Sequence, residues 1–401
     1  MDPKIKKIVL RKILDSRGDF SFECEVMGES FFGRCSAPSG ASVGKFEAVA
    51  YPKGVDASIE YAKSKVIPKL TGIDVREQKK IDELLREADG TNNFSNLGGN
   101  AAIAISLACA KASAHLQGKQ LFEILGNGRG FPIPLSKIIG GGKHAVNSVD
   151  IQEFLVFPSN AKRLYPALQA NVSVHKKIKE KLKKMGVTLG RDDESGWVVK
   201  LKTEDALEML SEACQQTGSE TGLKVDIGLD TASSSLFEDG KYIYEVDGRK
   251  LDRGEQLDFI LELIKKFKLG YVEDALQEED FEGFAELTRK AGTCLICGDD
   301  LFVTNKSRLE TGVKMKACNS LIIKPNQIGT LTQLTETVEY AKENGYACIA
   351  SHRSGETCDK SISHIAVAYG CKMLKTNVVG GERNTKFNEI IRIGEKVGRW
   401  L

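Results

Sequence analysis

Three carboxylates and two lysines stand where apolar runs break off. Val225-Asp-Ile-Gly-Leu229 is followed by Asp230, Gly270-Tyr-Val272 by Glu273, and Leu295-Ile-Cys-Gly298 by Asp299. Leu321-Ile-Ile323 is followed by Lys324, and Met373-Leu374 by Lys375. Asp230, Glu273 and Asp299 offer hard oxygen ligands with no accompanying histidine or cysteine cluster, a set that suits Mg²⁺ rather than zinc. Left unpaired, three such acids repel one another and take up protons; a divalent ion removes that cost. Buried salt bridges are the alternative reading. Lys324 and Lys375, near each other and near a cation, are expected to lower each other's pKa, which suits a general base near neutral pH. A lysine base beside Mg²⁺ is a known arrangement for removing a proton next to a carboxylate, so this is a match to a pattern rather than an independent deduction. Glu153 and Glu194 form an acidic pair able to share a proton and serve the opposite half-reaction. His144, His352, Arg353 and Ser354 add cationic and hydroxyl groups suited to an anionic substrate such as a phosphate ester.

These residues converge only if the elements before them form one scaffold. From residue 135 onward, strand and helix patterns alternate. Strand candidates are 149–156, 223–229, 270–273, 293–297, 320–323, 347–350 and 372–374; helical candidates are 161–184, 203–217, 255–267, 278–290, 329–345 and 357–371. That many βα units point to a closed barrel, whose strand ends gather on one face, where barrel active sites lie. The early part is less regular, so eight identical units are not expected. Residues 5–35 alternate with period two and predict a small antiparallel sheet. The Gly- and Ser-rich stretch 37–44 predicts a loop, either a plain linker or a lid carrying Ser42 to a site. Residues 101–115 are small and apolar on nearly every face, which predicts a helix buried between layers. Phe131-Pro-Ile-Pro134 breaks the helical run. The expected architecture is an α+β N-terminal capping domain, residues 1–127, followed by a modified (β/α)8 TIM-type barrel, residues 128–401.

Composition narrows the class. The chain has 401 residues, 41% hydrophobic and 28% charged, with a formal net charge of +2. That describes an ordinary soluble globular protein and gives no case for nucleic-acid or membrane binding. The ten cysteines lack disulfide-scaffold spacing and read as free thiols of a cytoplasmic protein. Cys294 and Cys297 form a lone CxxC pair inside an apolar run and read as core residues. The basic run 176–184 reads as a solvated helix face.

The chain resembles the enolase family (phosphopyruvate hydratases of the enolase superfamily). The matching segments include Leu14-Asp-Ser-Arg-Gly18, Pro38-Ser-Gly-Ala-Ser-Val-Gly44, His144-Ala145, Gln152-Glu-Phe154, Asp193-Glu194, Glu273-Asp274 and Gly298-Asp-Asp300. Two longer ones are more specific: Lys324 with Asn326-Gln-Ile-Gly-Thr330, and Ser351-His-Arg-Ser-Gly-Glu-Thr357. The resemblance implies reversible conversion of 2-phosphoglycerate to phosphoenolpyruvate in glycolysis and gluconeogenesis. It implies Lys324 as the base at C2 and Lys375 as a second lysine on the substrate carboxylate. It implies Glu194 as the acid assisting loss of the C3 hydroxyl, with Glu153 as its partner. Asp230, Glu273 and Asp299 match the ligands of one Mg²⁺, and Ser42 matches the loop serine that helps hold a second, arriving with substrate. Arg353 and Ser354 match the phosphate-binding pair, and His144 and His352 the active-site histidines. A homodimer or octamer is the implied assembly.

Several loops depart from the family pattern. Val43 replaces a usual threonine, Gly140-Gly-Gly-Lys-His144 lacks an asparagine before its glycine pair, and Ser195 and Ala275 stand where glycine and proline are usual. The tail from Thr376 also differs. A divergent superfamily enzyme acting on a related phosphorylated acid therefore stays open, as does a non-catalytic scaffold or RNA-degradation partner.

Overall fold

The computed structural model describes residues 2–40 and 44–401. The period-two stretches near the N-terminus form a three-stranded antiparallel sheet, β1 (Lys7–Leu14), β2 (Phe20–Met27) and β3 (Phe32–Ser36), in that order. Its inner face packs on helix α1 (Gly99–Leu116), which is buried along most of its length. A Cβ on Gly33 would fall 2.1 Å from the carbonyl oxygen of Ala108, so only glycine lets β3 approach α1 this closely.

The second part closes into an eight-stranded barrel. Its strands are β4 (Ile133–Gly140), β5 (Glu153–Pro158), β6 (Val225–Asp230), β7 (Tyr271–Glu273), β8 (Leu295–Gly298), β9 (Ser320–Ile323), β10 (Ala347–Ser351) and β11 (Met373–Lys375). Consecutive strands pair, and β11 pairs with β4 to close the ring. Seven strands run parallel; β5 is antiparallel to both neighbours. The interior is filled by side chains such as Leu135, Phe157, Tyr271, Ile322 and Met373, as expected of a packed barrel core rather than a pore. Helices wrap the outside, beginning with α2 (Leu164–Lys184) and α3 (Thr203–Thr221) and ending with α4 (Gly381–Val397).

Three features differ from the sequence expectations. The strand expected at 149–156 begins only at Glu153, because residues 141–152 form the loop that turns the chain back. β4 was hidden by Pro132 and Pro134, although proline is tolerated at the start of a strand. The small three-stranded antiparallel sheet at 237–251 and the helices Lys306–Met315 and Gly381–Val397 lie between or beyond the assigned units. Cys294 and Cys297 are core residues as expected: both are buried, and burial pushes both thiols up.

The two parts meet at the barrel's carboxyl end. Ser39 and Gly355 exchange backbone hydrogen bonds of 2.7 and 2.8 Å. Asn326, two residues beyond Lys324, donates to the side-chain oxygen of Asn100 on α1 at 3.0 Å. Among the described residues no helix is long and apolar enough to cross a membrane.

Candidate active site

All the candidate residues among the described ones gather at this end; Ser42 lies outside the described residues. Asp230, Glu273 and Lys375 are the last residues of β6, β7 and β11, and Glu273 is registered opposite Asp230. Asp299, Lys324 and His352 each follow a strand directly. Glu153 is the first residue of the reversed strand, which puts it at the same end and in register with Asp230. Glu194 comes from the loop before the short strand Trp197–Val198, which pairs with β4. At the centre remains a cavity of about 20 Å³, room for about one water molecule. A wider open groove of about 740 Å³ runs between residues 145–150 and the 237–251 sheet, and none of the described candidate residues lines it.

Lysine–carboxylate pairs fill the centre. Lys375 Nζ lies 2.9 Å from Asp230, 2.7 Å from Glu273 and 3.1 Å from Glu153. Lys324 is paired with Asp299, whose other oxygen accepts from Gln327 at 2.9 Å. Lys375 does lower Lys324 as expected, but the carboxylates reverse the net direction. Burial pushes Lys324 down, but Asp299 and Glu273 outweigh burial, Arg353 and Lys375, and hold its ammonium above the ordinary lysine value. Lys375 is held higher in the same way by Asp230, Glu153 and Glu273. Nearby carboxylates simply outnumber the cations.

The residues fit a divalent ion. Glu273 is fully buried, and its Oε1 has no hydrogen-bond partner. Burial and then Asp230 push its carboxyl up to about 8, against Lys375. An acid held at such a cost accepts a cation readily. The three oxygen donors come from adjacent strands, but they are not drawn to one point, since Lys375 lies against two of them and Lys324 against the third. The tightest acidic group is instead Asp274, Asp299 and Asp300, with oxygens within 4.8 Å of one another. Asp274 is committed elsewhere: its two oxygens accept the backbone N–H groups of Asp299 and Asp300 at 2.9 Å each. It fixes the turn that presents Asp299.

The opposite wall holds the proton-sharing pair. His144, Glu153 and Glu194 place ligand atoms within 4.8 Å of one another. Burial, with Glu194 beside it, pushes Glu153 well up. Burial also raises Glu194, but Lys137, the histidines and a hydrogen bond from Glu153 bring it well below the usual carboxylate range. The two shifts run in opposite directions, which suits a pair that holds one proton between them. His352 Nδ1 lies 3.0 Å from Arg383 Nη1, which can only donate, so the neutral ring carries its hydrogen on Nε2, 3.7 Å from Glu194. Burial and then Arg383 hold His352 well below the ordinary histidine value.

Two models of known domain families match: “Enolase, C-terminal TIM barrel domain” over residues 129–400 and “Enolase, N-terminal domain” over residues 5–125. The chain belongs to the enolase family. It is 46% identical to the enolase of Methanosphaera stadtmanae, covering 99% of this chain and 98% of that one. It is 46% identical to the enolase of Archaeoglobus fulgidus (98% and 97% covered) and 47% identical to that of Methanocorpusculum labreanum (98% and 99% covered).

Some residues of this enolase site escaped the sequence reading. Glu47 pairs with Arg353 at 2.8 Å, and Arg383 also donates to the carbonyl oxygens of Ser354 and Asp193 at 2.6 and 2.8 Å. Lys137 and Asp192 are buried beside Glu194. None of them ends a recognised strand, which was the signal that found the others. The one usable sign was a charged residue inside the apolar stretch 133–140.

Proposed function

We propose that this chain catalyses the reversible, Mg²⁺-dependent dehydration of 2-phosphoglycerate to phosphoenolpyruvate, with the roles that follow. Family membership over both domains supports the reaction. The observation that supports the roles is the meeting, around one small cavity, of Lys324 and Lys375 on the carboxylate side with Glu153 and Glu194 on the other.

Asp230, Glu273 and Asp299 would hold Mg²⁺, which supplies positive charge that loosens the lysine pairs and stabilises charge developing on the substrate carboxylate. Lys324, unpaired from Asp299 and with its own ammonium proton given up to solvent, takes the C2 proton on Nζ, and the C–H electron pair passes into the carboxylate as an enolate. Lys375 faces that carboxylate. The electron pair returns to form the C2–C3 double bond, and the C3 hydroxyl leaves with the proton shared by Glu153 and Glu194, as water. Arg353 and Ser354 bind the phosphate, with His144 and His352 lining the approach. A second Mg²⁺ arriving with substrate, with Ser42 contacting both, completes the reading. So do a boundary between residues 127 and 128, a cytoplasmic location and assembly as a homodimer or octamer.

Phosphoenolpyruvate formation, followed by absorbance with Mg²⁺ and with excess chelator, tests the reading. Turnover that persists in chelator, or none with Mg²⁺, counts against it.

A further inference from the structure

Lys137 is a buried cation of this site to which the reaction as written gives no role. It sits on β4 with its side chain 1% exposed. Its ammonium has three close partners. Nδ1 of His144 lies at 2.7 Å, Oδ2 of Asp192 at 2.7 Å and Oε2 of Glu194 at 3.4 Å, with Glu153 further out at 3.8 Å. An ammonium has no acceptor, so Nδ1 of His144 must be unprotonated and the neutral ring carries hydrogen on Nε2. Burial and then Lys137 hold His144 down at about 4.

The backbone is shaped around this pair. A Cβ on Gly140 would fall 1.7 Å from Asp192 Oδ2 and 2.9 Å from Lys137 Cε, and one on Gly196 would fall 3.1 Å from Lys137 Cγ. Two glycines on facing segments thus leave a slot that the Lys137–Asp192 pair fills. The other oxygen of Asp192 accepts the backbone N–H groups of Glu194 at 3.0 Å and Gly196 at 2.8 Å, which folds the loop around Glu194. Lysine, aspartate, loop and acid are one mechanical unit.

We propose that Lys137 is a positioning residue for the dehydration half of the reaction: clamped by Asp192, it orients the Glu194 carboxylate toward the leaving hydroxyl and fixes the tautomer of His144. This rests on the reading of Glu194 as the acid. Lys137 makes no contact with Lys324 or Asp299, so it acts after the C2 proton has been removed. A buried cation that merely neutralised Asp192 would have a different signature, since removing both charges together would then restore the enzyme.

The test compares full-length Lys137→Met, Lys137→Met/Asp192→Asn and Glu194→Gln. Each is assayed with Mg²⁺ for two rates: C2 hydrogen exchange of 2-phosphoglycerate with D₂O, and phosphoenolpyruvate formation. For Lys137→Met, phosphoenolpyruvate formation falls about 10- to 100-fold, the range expected when a catalytic group is displaced by about 1 Å. Exchange falls far less, so the ratio of exchange to product rises. The double variant recovers thermal stability but keeps the raised ratio. Equal loss of both rates in Lys137→Met, or a wild-type ratio in the double variant, would show that the lysine is structural only. Glu194→Gln separates the two levels. If it forms product at the wild-type rate, the reading of the acid fails; if it loses product while Lys137→Met does not, only the role of Lys137 fails.

Discussion

Glu153, the first residue of the barrel's one reversed strand, stands in register with Asp230, the last residue of the next strand. A strand's first residue reaches the carboxyl face only if that strand runs backwards. Reversal of β5 therefore brings an acid-pair member to the metal side of the site without lengthening any loop. Lys375 bridges the two at 3.1 and 2.9 Å. The acid pair proposed to deliver the proton and the carboxylates proposed to hold Mg²⁺ are thus coupled through one ammonium.

That crowding gives a pH-dependent stability. Burial and then Asp230 push Glu273 up to about 8, and burial and then Asp299 push Asp300 up to about 8. An acid whose folded pKa lies above its unfolded value contributes stability that is present at low pH and lost as pH rises through the folded value. Metal-free protein should therefore lose thermal stability from about pH 5 up to about pH 8. Mg²⁺ favours the ionised carboxylates, so the rise in Tm on adding it should be larger at pH 9 than at pH 6. Differential scanning fluorimetry checks this, and an equal or smaller rise at pH 9 contradicts it.

Arg383 should matter for binding and stability together. It donates to Nδ1 of His352 and to the carbonyl oxygens of Ser354 and Asp193. Arg383→Met removes these hydrogen bonds, which Ser16 Oγ, 3.3 Å from the Ser354 carbonyl oxygen, and Thr376 Oγ1, 3.2 Å from His352 Nδ1, replace only in part; losing the partner of a buried polar group costs about 1–3 kcal/mol. Urea denaturation should show a loss of at least about 2 kcal/mol. The substrate KM should rise, because the loop carrying Arg353 and Ser354 loses its anchor. A variant with unchanged KM would place Arg383 outside the substrate-binding framework.

Gly33→Ala probes the packing of the N-terminal sheet. Its methyl would meet the carbonyl oxygen of Ala108 at 2.1 Å, so β3 must back away from α1. Overpacking of this kind costs about 1–3 kcal/mol, read by chemical denaturation. Stability equal to wild type would mean that the sheet shifts on α1 freely.

The outline of the site was legible because barrel geometry converts chain position into spatial position. Asp230, Glu273, Asp299, Lys324 and Lys375 follow apolar runs, and such runs end on one face. The parts that were not legible depend on direction and on pairing. Nothing local in 149–156 signals that β5 runs backwards, and Pro132 and Pro134 masked the strand bearing Lys137. The protonation of Lys324 follows from how many carboxylates surround it, which spacing along the chain does not encode. Arg383 acts through carbonyl oxygens of distant loops, contacts that exist only in the folded chain.

The central claim is that Lys324 is the base at C2. The direct measurement is the rate at which the C2 hydrogen of 2-phosphoglycerate exchanges with D₂O, followed by NMR at saturating Mg²⁺, for wild type and Lys324→Ala. General bases contribute about 10²- to 10⁴-fold, so the variant should lose at least about 100-fold in exchange and in product formation together. Exchange at the wild-type rate in Lys324→Ala would contradict the assignment.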